Sequence, residues 1–108
     1  MKEFYHVSVK DNEKAITSEG LVATEASECD SGKGIHVAES VMGAHAWLGQ
    51  LRNEREIFDK TFTIFQVRVE DNVCCRKDEF EGVGPDDSYV LCTDSIRPEN
   101  LEAVEWVY

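Results

Sequence analysis

Phe4-Tyr5-His6-Val7-Ser8-Val9 alternates from side to side. Tyr5, Val7 and Val9 fall on one face; Phe4, His6 and Ser8 fall on the other. The pattern predicts a β-strand with one clearly apolar face. The opposite face carries an imidazole and a hydroxyl where a core would take Val or Ile. A polar turn follows, in which Asp11 or Asn12 can cap a short helix over 13–19. Gly20 stands where a helix C-terminus needs a left-handed residue, with Leu21 as the hydrophobic residue after it. Ala15 and Ile16 are the only apolar residues of that helix, so it reads as a thin surface element.

Leu21 and Val22 form a short predicted strand. Residues 23–34 are small and polar and read as a loop. Within them, Gly32-Lys33-Gly34 lacks the full phosphate-loop pattern and enters a strand rather than a helix. Ile35-His36-Val37-Ala38 is the next strand. Ser40 then caps a longer helix from Val41 to about Glu56, whose buried stripe is Val41, Ala44, Leu48 and Leu51. Residues 61–69, rich in β-branched and aromatic side chains, make the strongest strand of the chain. Residues 70–87 read as a long charged loop with Gly82, Gly84 and Pro85, a length that more often serves a function than a mere connection. Residues 88–93 form another strand, 96–100 a turn, and 101–108 a closing strand with Val104, Trp106 and Tyr108 on one face. Helices in the first half and strands in the second give an α+β pattern. Antiparallel pairing of the late strands is its simplest closure.

The chain of 108 residues is expected to form one domain, 1–108. It has no apolar run near the length of a membrane span. Its first residues do not read as a signal peptide. A cytoplasmic protein is therefore expected. The formal charge is −11, from 22 acidic and 11 basic residues, which opposes direct binding to a nucleic-acid backbone. From Glu70 onward, eleven acids face only Arg76, Lys77 and Arg97, a balance of −8. That excess fits plain solubility. It also fits a surface that meets a basic partner. Of the four cysteines, Cys74 and Cys75 are adjacent, a poor geometry for a mutual disulfide. No C-x-x-C occurs, and Cys29, Cys74 and Cys75 with a His lack the usual zinc spacing. Reduced thiols are expected, with Cys92 buried as a small apolar strand residue.

In order, these landmarks resemble small ADP-ribosyltransferase-like domains of the His-Tyr-Glu type. Tyr5-His6-Val7-Ser8 and a helix ending Ser18-Glu19-Gly20-Leu21 resemble their opening, where a first-strand His or Arg faces an NAD cleft. Gly34-Ile35-His36-Val37-Ala38-Glu39-Ser40 resembles their second motif, a glycine, a strand with an aromatic residue and a Ser-capped helix. Ala44-His45-Ala46-Trp47 fits the helix that follows, and Phe65-Gln66-Val67-Arg68-Val69 a core strand. Tyr89-Val90-Leu91 with Ile96-Arg97-Pro98-Glu99-Asn100-Leu101 resembles the closing strand and turn. The resemblance spans nearly the whole chain, though each motif alone is short.

The resemblance implies a split, mostly antiparallel sheet with two helices in the first half, and NAD as the ligand or the donor of ADP-ribose. It implies His6 on the ribose, His36 at the nicotinamide, and Ser8, Ser40 and Tyr89 lining the same cleft. The second-motif aromatic is replaced by His36. The family's catalytic Glu is also missing: Asp86, Asp87, Ser88 and Tyr89 stand there, and the tightest register puts Tyr89 at the Glu position. Asp86 or Asp87 would have to stabilise charge with a shorter side chain. A displacement of about 1 Å at a reacting centre costs about a hundredfold in rate.

Each residue also has a plainer reading. His6 fits a strand histidine satisfied by the backbone, and His36 a surface strand residue. His45 reads as surface, Ser40 as a cap, and Trp47 and Trp106 as core. The competing function is non-catalytic: an inhibitor-type module that keeps the fold and sets its acidic residues 70–105 against a basic surface of another protein, with Phe80 and Val83 as apolar anchors.

Overall fold

The computed structural model describes residues 1–46, 62–77 and 88–104. The element order is β1 (Lys2–Val9), α1 (Glu13–Glu19), β2 (Leu21–Val22), β3 (Thr24–Glu25) and β4 (Lys33–Ala38), then a second helical stretch over residues 41–46, α2. There follow β5 (Phe62–Val69), β6 (Cys75–Lys77), β7 (Ser88–Leu91), β8 (Ser95–Ile96) and β9 (Leu101–Val104). The fold is α+β with an antiparallel sheet in the order β6-β7-β4-β1-β5-β9. β3 pairs with β4, and β2 with β8 forms a separate two-stranded sheet. Among the described residues no helix is long and apolar enough to cross a membrane.

β1 and β5 pair along their whole length, from Lys2↔Val69 to Val9↔Phe62. Directly opposed residues of antiparallel strands share a face. Phe4, His6 and Ser8 therefore lie on the face of Val67, Phe65 and Thr63. Tyr5 and Val7 lie with Gln66 and Ile64 on the other. The main core forms on the Phe4 side, from Phe4, Phe65, Val67, Val69, Ile35, Val37 and Leu91 with Ile16, Leu21 and Ile96 packed over them. Tyr5 and Val7 pack in a smaller cluster with Ala38, Ala44 and Ile64. This corrects the expectation of one clearly apolar face on β1. Apolar side chains of β1 join clusters on both faces, Phe4 in one and Tyr5 and Val7 in the other, and the face holding His6 meets the larger cluster.

The helix signals act locally. α1 spans the residues predicted for it, and the Gly20 N–H closes it on Ile16 O at 2.8 Å. Asn12 holds the cap position but its side chain makes no capping bond, because a 3₁₀ turn over Lys10–Asn12 leads straight into the helix. Ser40 does cap α2: the Gly43 N–H donates to its Oγ at 3.0 Å. Ala44 of the expected stripe is fully buried; Trp47, Leu48 and Leu51 lie outside the described residues. The expected loops 23–34 and 70–87 contain β3 and β6, and the expected turn at 96–100 begins with β8.

Cys29 and Cys92 form a disulfide, with Cα atoms 5.5 Å apart and a sequence separation of 63. This overturns the expectation of four reduced thiols and of Cys92 as an apolar filler. A turn over residues 26–32 brings Cys29 onto the end of β7. Its N–H donates to Ala26 O at 3.3 Å, and the Gly32 N–H donates to Cys29 O at 2.9 Å. Gly34 makes room for the bridge: a Cβ there would stand 2.6 Å from Val90 Cγ1 and 3.0 Å from Cys29 Sγ. Closing so long a loop stabilises the fold by roughly 2–4 kcal/mol.

Gly20 has φ +85°, and an added Cβ would stand 2.1 Å from the Ile96 carbonyl oxygen. Gly32 has φ +77° with open space around it. Urea denaturation should therefore separate the two alanine variants. Gly32→Ala carries only left-handed strain, about 1–2 kcal/mol. Gly20→Ala adds a clash with backbone and should cost more, about 3 kcal/mol or above. Equal losses would contradict the close approach of α1 to β8.

Candidate functional site

β1 and β4 are neighbours in the middle of the sheet, and they bring His6 and His36 close through the backbone. Nδ1 of His6 lies 2.7 Å from the carbonyl oxygen of His36. A carbonyl only accepts, so this nitrogen carries the proton and donates. The neutral ring then keeps Nε2 as its acceptor. Burial, the larger influence, lowers the His6 pKa below its ordinary value; the carbonyl bond pulls it up, and the neighbouring His36 adds a smaller lowering. His6 is thus a neutral imidazole of fixed tautomer near pH 7.

The side chains of the two histidines part company at that point. Val37 belongs to the main core with Phe65 and Phe4, so β4 presents Val37 on the face of His6. Successive side chains of a strand alternate, which sends His36 to the other face. There it stands opposite Val90, whose cluster holds Ala26 and Cys29 with Cys92 packed against it. Tyr89 stands opposite Val37 and leans on Phe4, ring centroids 6.2 Å apart and tilted by 56°. His6, Ser8 and Tyr89 therefore share the core-side face. Ser8 is half-buried, with Oγ 3.5 Å from Val9 O. Ser40 is engaged as the α2 cap. Asp86 and Asp87 lie outside the described residues.

Two recesses lie away from these residues. One, about 190 Å³, sits between Arg68, Val69, Val73, Thr93, Ile96 and Arg97. The other runs along Lys10, Glu13, Lys14 and Thr17 beside α1. Neither is lined by His6, His36 or Tyr89.

The charged surface is organised by strand pairing as well. Arg68 stands opposite Glu3 and contacts Glu102 of the next strand, at 3.9 and 3.3 Å. The N-terminal ammonium meets Asp71 at 3.4 Å, and Arg97 meets Glu99 at 3.9 Å. These cations are held by acids of the same chain, while Glu70 and Asp94 are exposed. Comparison of the chain with known protein families, with curated proteins and with solved structures finds no match.

The pairing of Cys29 with Cys92 was the feature sequence reading missed. The one signal for it was that the adjacent cysteines 74 and 75 cannot serve each other, which leaves Cys29 and Cys92 to be joined by topology.

Because burial lowers the His6 pKa, the unfolded chain binds the proton more readily. The contribution of His6 to stability is complete above the unfolded value of about 6.5 and is lost as pH falls through the lower folded value. NMR titration of the ring should place its midpoint below that of a free histidine. His6→Ala should leave the His36 carbonyl without its donor at a cost of about 1–3 kcal/mol, and should flatten the fall in stability as pH drops below the unfolded value of about 6.5. A His6 midpoint at or above the ordinary value would contradict the burial.

Proposed function

We propose that this chain is a non-catalytic binding module, an ADP-ribosyltransferase-like scaffold whose acidic surface meets a basic patch on another protein. The observation that carries this reading is the division of His6 and His36 between opposite faces of the sheet. A dinucleotide laid in one cleft would not meet both rings, and the expected Glu is already absent from the sequence. The acidic surplus, by contrast, needs no buried machinery. The N-terminal ammonium, Arg68 and Arg97 are taken up by ion pairs within the chain, and with a net charge of −11 a partner encounters a field dominated by carboxylates. Such a field steers association and selects against acidic or neutral partners.

A second reading keeps NAD as a ligand of the His6 face alone. It is favoured by the fixed tautomer of His6, whose Nε2 can accept a hydrogen bond from a ribose hydroxyl, with Ser8 and Tyr89 on the same side. Calorimetric titration with NAD tests it directly: binding that His6→Ala abolishes supports it, and no heat above dilution removes it. A cytoplasmic location is part of the main proposal. Disulfides persist chiefly in oxidising compartments, so counting free thiols in protein quenched straight from cells tests location as well.

Affinity capture from extract of the native host, with bound proteins identified by mass spectrometry, should yield a basic partner at low salt. Glu70→Lys, Asp71→Lys and Asp94→Lys combined should slow association by about tenfold or more and change dissociation little. Added salt should produce the same loss in the unaltered protein. A partner whose association ignores both charge reversal and salt would exclude the acidic surface as the determinant.

A further inference from the structure

The sheet face opposite the main core carries three sulfur atoms. Two are joined in the Cys29–Cys92 bridge. The third is Cys74, an exposed free thiol. β6 pairs with β7 in the register Cys75↔Leu91, Arg76↔Val90 and Lys77↔Tyr89. One step further, the same register sets Cys74 opposite Cys92, and the Cys92 N–H donates to Cys74 O at 2.8 Å. Opposed residues of antiparallel strands share a face, with Cβ atoms about 4.5–5.5 Å apart. A disulfide needs about 3.5–4.5 Å. The small remaining gap falls just beyond the regular ends of β6 and β7, where the backbone can adjust. Cys75 is the wrong neighbour. It points to the core face with Leu91, and burial pushes its thiol pKa above the ordinary value.

We propose that Cys74 is the resident nucleophile for thiol–disulfide exchange with the Cys29–Cys92 bridge. The Cys74 thiolate attacks Cys92 Sγ, a Cys74–Cys92 bond forms, and Cys29 leaves as a thiolate. The proton lost by Cys74 is matched by the one Cys29 regains, and no outside oxidant or reductant enters. The exchange releases the turn 26–32, which the bridge holds against β7. That turn lies between β3 and β4, whose pairs Thr24↔Gly34 and Glu25↔Lys33 lead directly into His36. Bridge position and the order of this segment are thereby coupled.

The test uses the full bridged chain, held at about pH 8 without added thiol, where thiolate is available, and pulsed at intervals with N-ethylmaleimide. Trypsin cleavage after Lys33, Arg68 and Arg76 or Lys77 separates the peptides that bear Cys29, Cys74 with Cys75, and Cys92. Cys29 is 4% exposed in the bridged form, so its alkylation reports release. The expected result is growth of a Cys74–Cys92 linked peptide in step with alkylated Cys29. Cys74→Ser should slow Cys29 labelling by about tenfold or more, because the local attacking group is gone. Cys75→Ser should leave it unchanged. In Cys29→Ser, oxidised glutathione should join Cys74 to Cys92 in the folded protein, which reads the register without depending on exchange rate. The proposal is overturned if Cys29 stays unlabelled in the unaltered chain, if Cys74→Ser labels it equally fast, or if Cys92 of Cys29→Ser pairs with Cys75 instead.

Discussion

The eight-residue ladder between β1 and β5 is the constraint on which the remaining structure depends. Its register decides which side chains share a face, and a one-residue slip would exchange the two faces wholesale. Phe4 enters the main core because it stands opposite Val67, and His6 follows because it stands opposite Phe65. α1 with the β2–β8 pair then covers that face through Ile16, Leu21 and Ile96. α2 covers part of the other through Ala44 against Ala38 and Ile64. The close approach of Ile96 O to Gly20 shows how tightly the covering layer is seated.

A polar ring on the core-side face is tolerable only if its hydrogen-bonding capacity is used or stays wet. His6 meets this condition by donating to the His36 carbonyl, a bond across neighbouring strands in the centre of the sheet. The same bond ties β1 to β4 where only the pair Tyr5↔Ala38 is otherwise registered. The plain reading of His6, a strand histidine satisfied by backbone, is thus met by Nδ1.

The two faces also differ in chemistry. The core side is apolar with one fixed imidazole. The far side carries the sulfur cluster around Val90, the ring of His36 and the chain of ion pairs from Glu3 through Arg68 to Glu102. Exposed pairs of this kind contribute at most about 1 kcal/mol each. Each pair cancels one cation against one acid, so the excess of carboxylates, a net charge of −11, is untouched by them.

Some of this was legible in residues close together in the chain. The limits of α1, the left-handed Gly20, the Ser40 cap and the strands at 2–9 and 62–69 follow from short-range rules of backbone geometry, capping and alternation. β3, β6 and β8 were not legible because, unlike the apolar Leu21-Val22 of β2, these two or three residues offer no apolar run and form strands only through their partners. The main core side of β1 was misjudged for a related reason. Tyr5, Val7 and Val9 look more apolar than Phe4, His6 and Ser8, but the face that becomes the core is chosen by what β4 and β5 bring to it. The union of Cys29 with Cys92, and the parting of His6 from His36, belong wholly to tertiary structure. Sequence sets the parity of each side chain along its own strand. Only pairing between strands distant in the chain sets the parities relative to one another, and so decides which residues can act together.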